Sequence, residues 1–120
     1  MSSKHRIKVR DDVAVLHGRG RITKDASARF QQMVVDAVGR SRTALVVIDL
    51  ADVSYMSSGG LRAIAIGARL CRERDGQLVL GAVGAELQEV LAITGFDKLV
   101  PMHASLDSAL EALSAGDDLP

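Results

Sequence analysis

At 120 residues the chain is one domain by size, long enough to bury most of its surface without a metal or a disulfide. Fifteen basic residues balance fifteen acidic ones, and no block of like charge is long enough to form a nucleic-acid arm or a polybasic membrane anchor. Hydrophobic residues make up 48% of the chain and aromatic ones only 2%, so the core must come from Val, Ile, Leu, Ala and Met, with almost no platform for stacking bases.

The amino-terminal MSSKHRIKVRDD lacks the apolar stretch of a signal peptide, and no apolar run approaches the roughly 20 residues that cross a bilayer. The expectation is a cytoplasmic chain of one domain over residues 1–120, frayed at about 1–5 and 115–120. Residues 6–10 and 12–18 alternate apolar with polar around Asp11 and Asp12, which reads as a hairpin of half-buried strands. After GRGRIT the period changes: Ala26, Phe30, Met33, Val34, Ala37 and Val38 recur at helical spacing, with Thr23 as N-cap and Gly39 as stop.

Residues 44–50, ALVVIDL, form a nearly continuous aliphatic run, the pattern of a strand covered on both faces. Leu61, Ile64, Ala65, Ala68 and Cys71 then mark a helix ending near Asp75 and Gly76. Arg62, Arg69, Arg72 and Arg74 on it are interrupted by Glu73 and Asp75 and read as a solvated face. Cys71 has no disulfide partner and reads as reduced and buried. Residues 77–83 suggest another strand, and Leu87, Val90 and Leu91 a third helix that stops at Gly95. KLVPMH reads as a last short strand, with Pro101 at its end or at a sheet edge. Leu106, Ala109, Leu110 and Leu113 close the chain as a helix capped by Ser105. The order ββαβαβαβα implies an α/β fold with a mixed, mainly parallel sheet and helices packed against it.

One stretch asks for more than a turn. Ser57, Ser58, Gly59 and Gly60 stand between the central strand and its helix. A helix N-terminus has backbone N–H groups without intrahelical partners and a partial positive charge, so it accepts an anion, bound or covalently attached. A serine N-cap with tight-turn glycines explains the same residues with no further duty. A nucleophile elbow and a P-loop are both excluded, because their glycine spacing and the P-loop lysine are missing. His5, His17 and His103 lie scattered and read as surface or strand-end residues. Asp49 and Asp52 flank the end of the central strand without a third metal ligand. No Ser-His-Asp set is present, so the reading is a non-enzymatic domain without cofactor or metal.

The segment ALVVIDLADVSYMSSGGLRAI resembles the central signature of STAS domains of the bacterial anti-sigma factor antagonist type, a strand ending D-L-x-x-V-x-x-M followed by D-S-S/T-G-L at the helix start. GRGRIT resembles the family's G-E-L-D turn, and GFDKLVPMHASLDSAL its G-L-x-K-I close with the last helix. The resemblance implies that Ser58 is phosphorylated by a serine kinase of the histidine-kinase-like ATPase type that doubles as anti-sigma factor. It also implies a PP2C-type phosphatase that resets a partner-switching pathway, and no direct contact with nucleic acid or membrane. Thr23, Ser57, Ser58, Gly59, Gly60 and Arg62 form the implied partner-binding face. Ser57 replaces the signature acid and Thr23 the Asp of the turn. Those departures leave Ser57 as the alternative modified residue. They also leave a constitutive STAS accessory subunit, as in ABC-type lipid transport, as the alternative function.

Overall fold

The computed structural model of the chain describes residues 5–117. Among them one five-stranded sheet forms, in the order β1 (Arg6–Arg10), β2 (Val13–Ile22), β3 (Leu45–Met56), β4 (Gln77–Gly81) and β5 (Met102–His103). β1 runs antiparallel to β2, and the other neighbours are parallel. Helices α1 (Ser27–Arg40), α2 (Ser58–Glu73), α3 (Ala85–Ile93) and α4 (Leu106–Asp117) follow in the expected order. A single 3-10 turn at Phe96–Lys98 separates α3 from β5.

Strand alternation divides the core into two layers. Ala14 and Leu16, Val46 and Ile48, and Leu78 and Leu80 face α1 and α2, where Phe30, Val34, Ala63 and Ile64 meet them. Val13, Val15, Val47 and Val79 point the other way and are covered by Ala109 and Leu113 of α4. The first part of β3, through Val46, Val47 and Ile48, is thus buried on both faces, as the aliphatic run predicts, and so is β4 through Leu78, Val79 and Leu80. The β1–β2 hairpin turns through Asp11 and Asp12, both with positive φ (49° and 70°), in a two-residue loop between the paired Arg10 and Val13. Aspartate tolerates that left-handed backbone, and the twist of such a turn matches that of the strands.

Boundaries differ from the sequence reading in instructive places. β2 continues to Ile22, so most of GRGRIT is strand rather than turn, and β3 runs to Met56 rather than ending at residue 50. The two extensions pair with each other, which alternation alone does not foretell. Thr23 is not the cap of α1: an extra turn, with Ala26 N–H donating to the Thr23 carbonyl (3.0 Å), moves the N-cap to Ala26, which has no side-chain cap bond. Gly39 lies inside α1, which ends at Arg40 with Ser41 as C-cap. β4 ends at Gly81, and β5 is only two residues long, because residues 96–98 coil first.

Ser105 does cap α4: its Oγ accepts from Ser108 N–H (3.0 Å), and Ser108 Oγ accepts from Ser105 N–H (3.2 Å), a reciprocal capping box. Residues 115–117, within the end expected to fray, belong to the last turn of α4. Residues 118–120 and 1–4 of the expected frayed ends lie outside the described residues. His5 is held, not frayed: its ring packs edge-on against Phe30 (5.4 Å) and its Nδ1 accepts from Arg19 N–H (3.1 Å). Burial, aided by the nearby Arg29 charge, lowers its pKa below the ordinary 6.5. Cys71 is buried on α2 as expected, and burial pushes its thiol up to about 11, which makes it a poor nucleophile.

Candidate functional site

β3 is long for this sheet because only its first part has two neighbours. Leu45 to Asp49 pair with both β2 and β4, whereas Asp52 to Met56 pair with β2 alone. The result is a two-stranded ribbon that carries the chain past the sheet to Ser57. Register shifts between His17 and Arg19 and between Gly20 and Arg21 mark irregularities of the bulge kind, which bend and twist such a ribbon. At its base His17 Nδ1 donates to Asp49 Oδ2 (2.8 Å), while the other Asp49 oxygen accepts from Ala51 N–H (3.1 Å). His17 is therefore a half-buried strand-interior residue, not the surface or strand-end one expected. Asp49 and Asp52 both lie within β3, and among the described residues no group of three metal-ligating side chains forms.

At the tip, buried Ile22 and Met56 close the ribbon, and Ser57 N–H donates to the Ile22 carbonyl (2.8 Å). Ser57 takes up an extended backbone (φ −77°, ψ 169°) as N-cap of α2, and its Oγ accepts from Gly60 N–H (3.3 Å). It is buried. Ser58, the first helical residue, is exposed. A helix start leaves four N–H groups over. Here the Ile22 carbonyl takes that of Ser57, and Ser57 Oγ takes that of Gly60. Those of Ser58 and Gly59 have no partner among the described residues. The two adjacent serines thus differ completely in what their hydroxyls can do.

The glycines are fixed by neighbours rather than by backbone angle. A Cβ on Gly59 would lie 2.7 Å from Ser27 Oγ and 2.8 Å from Ser27 Cβ, and one on Gly60 would lie 2.5 Å from Met56 Cγ and 3.1 Å from Ile22 Cγ2. α1 therefore docks its first turn directly on the first turn of α2. Thr23, half-buried, follows the Ile22 that anchors Ser57, so the chain brings it to the same corner. Arg62 is exposed four residues after Ser58, one turn along the same helix face. Two participants escaped the sequence reading. Ser27 is one, and Arg21, stacked 4.7 Å over the exposed Tyr55 ring, is the other. Only the register Arg21 to Tyr55 reveals the second pair.

Comparison with known proteins agrees with this geometry. The family model of the STAS domain matches residues 4–109. BtrV of Bordetella bronchiseptica, named as a candidate anti-sigma factor antagonist, is 37% identical over 67 residues, 56% of this chain; the match spans only 58% of that relative's length. RsfA of Mycobacterium tuberculosis, an anti-sigma-F factor antagonist, is 24% identical over 110 residues, 91% of this chain and 86% of that one. The crystal structure of an anti-sigma factor antagonist from Mycobacterium paratuberculosis superposes with a TM-score of 0.84 at 27% identity, covering 94% of this chain and 95% of that one.

Proposed function

This chain belongs to the STAS domain family, and from that premise we propose that it is an anti-sigma factor antagonist whose binding to its partner is switched by phosphorylation of Ser58. The observation that carries the reading is the division of labour between the two serines. Ser57 is buried and its Oγ is engaged as the helix cap, whereas Ser58 is exposed beside two unpartnered N–H groups. The resemblance and this arrangement support the same residue, and the names of the relatives support the antagonist role.

The physics of the switch is local. A phosphate on Ser58 adds about −1.5 to −2 charges at pH 7. The helix N-terminus offsets that charge within the chain itself, and the exposed Arg62 stands one turn along the same helix, so the fold need not move. A partner surface fitted to the neutral hydroxyl instead meets a desolvated dianion and is excluded. The partner is a serine kinase of the histidine-kinase-like ATPase type that serves as anti-sigma factor, and a PP2C-type phosphatase restores binding. The domain itself is a non-enzymatic binding module that acts in the cytoplasm; no helix among the described residues is long and apolar enough to cross a membrane.

One observation favours a constitutive accessory subunit instead. The first turn of α2 contains no acidic residue, and Ser57 stands where the family signature has an acid. Peptide mapping of protein from its native cells, with and without PP2C-type phosphatase, separates the two. The switch predicts a phosphatase-sensitive phosphate on Ser58 and loss of partner capture by Ser58→Asp, with stability unchanged within about 0.5 kcal/mol. Undiminished capture by Ser58→Asp, with Ser58 unmodified under every growth condition, selects the constitutive subunit.

A further inference from the structure

A cavity of about 410 Å3 opens at the start of β4, at the opposite end of the sheet from Ser58. It lies in the plane of the sheet. Ala68 and Arg72 of α2 wall it from one face, Ala112 and Leu113 of α4 from the other, and Gln77 and Leu78 of β4 form its inner end.

The hydrogen-bond pattern of β4 explains why the space exists. Gln77 N–H donates to the Ala44 carbonyl on the β3 side (3.0 Å), whereas Leu80 and Ala82 N–H donate to the Pro101 (2.9 Å) and His103 (3.0 Å) carbonyls on the β5 side. By the same alternation the Leu78 N–H and C=O also face the β5 side. Pairing with β5 covers only Leu80 and Gly81. The next rung would need an N–H at residue 101 for the Leu78 carbonyl, and Pro101 has none. It would also need the Leu99 carbonyl for the Leu78 N–H, but Leu99 still has helical dihedrals (φ −90°, ψ −34°) after the 3-10 turn. β4 therefore keeps one unused donor and one unused acceptor inside a slot lined by Ala68, Ala112 and Leu113 together with the charged Arg72 and Asp75.

We propose that this notch binds a short extended segment of a partner polypeptide, which adds to β4 as a strand, sets apolar side chains against Ala68 and Leu113, and directs an acidic side chain toward Arg72. Backbone amides are the ligand chemistry that satisfies both groups of Leu78 at once. The free length from Gln77 to Val79 is about 10 Å, enough for three extended residues. Asp75 lines the same notch, yet Arg72 makes no ion pair among the described residues, with Asp75 or with any other carboxylate, so its guanidinium is open to an incoming acid. A second copy of this chain is a poor occupant: of its two sheet edges, β5 is only two residues long, and β1 would bring Arg6, Lys8 and Arg10 toward Arg72.

The test is an amide-resolved NMR titration of the full chain with acetyl-Val-Leu-Val-Glu-amide and with the same peptide N-methylated at both Leu and the second Val. The unmodified peptide is expected to shift the Leu78 amide proton downfield and slow its exchange about tenfold. The methylated one, which lacks the donor, should bind about tenfold more weakly. Ala112→Trp, at an exposed position, should fill the notch and abolish the response without altering the thermal melt, while Ser58→Asp should leave it intact. An unperturbed Leu78 at millimolar peptide, an equal response to the methylated peptide, or shifts confined to the Ser58 turn would overturn the proposal.

Discussion

The two ends of α2 are built from the same materials, a glycine pressed against a neighbouring element and a hydrogen-bonded turn, yet they are finished differently. At the C-terminal end Gly76 N–H donates to the Cys71 carbonyl (2.7 Å) and Asp75 N–H to that of Arg72 (3.0 Å), a Schellman arrangement with Asp75 in the left-handed region (φ 62°). Arg74 reaches from the same turn to the Val38 (2.9 Å) and Ser41 (3.0 Å) carbonyls, closing the end of α1 as well. At the N-terminal end two of the four spare N–H groups stay open and an exposed hydroxyl sits beside them. The closed end holds three elements together, and the open end is free to receive charge.

The largest effect is expected from breaking the closed end. A Cβ on Gly76 would run into the Ala44 backbone carbonyl, which cannot give way as a side-chain tip can. Gly76→Ala should therefore lower the unfolding free energy by about 3 kcal/mol, the upper part of the overpacking range, in a urea titration. A loss below 1 kcal/mol would mean that this contact relaxes easily and the two ends are alike.

Next in size is the contact between α1 and the open end. Gly59→Ala meets the Ser27 side chain and should cost about 1–2 kcal/mol, of which Ser27→Gly in the same chain recovers a part, giving a coupling of about 1 kcal/mol in a double-mutant cycle. Additive costs would show that the two first turns are not in firm contact.

The serines sharpen the contrast within the open end. Ser57→Ala removes the cap and should cost about 1 kcal/mol, whereas Ser58→Ala should stay within about 0.5 kcal/mol while abolishing any phosphate found at this turn. Equal stability costs from the two substitutions, read from melts, would remove the basis for choosing Ser58.

The mildest probe leaves both ends untouched. The pKa of His5 is lowered in the folded state, chiefly by burial, so below about pH 6.5 the unfolded chain binds more protons than the folded one and stability falls with falling pH. Protonation also removes the Nδ1 acceptor from Arg19 N–H. His5→Gln should flatten the pH dependence of stability between about pH 7.5 and 5.5; an unchanged slope would assign it to other groups.

The element order, the doubly covered central strands, the buried Cys71 and the Ser105 cap were all legible in the amino-acid order, because each depends on local periodicity or on a capping residue beside its helix. The position of Ser57 and Ser58 at a helix start was legible for the same reason. Which hydroxyl is free was not. That depends on the Ile22 carbonyl holding Ser57 in place and on Ser27 crowding Gly59, contacts between elements 30 or more positions apart in the chain. The ribbon of β2 and β3, the pairing of His17 with Asp49 and the notch left by Pro101 belong to the same class. Local pattern sets what a segment becomes; only packing between distant segments decides which of its polar groups are already engaged and which remain for a partner.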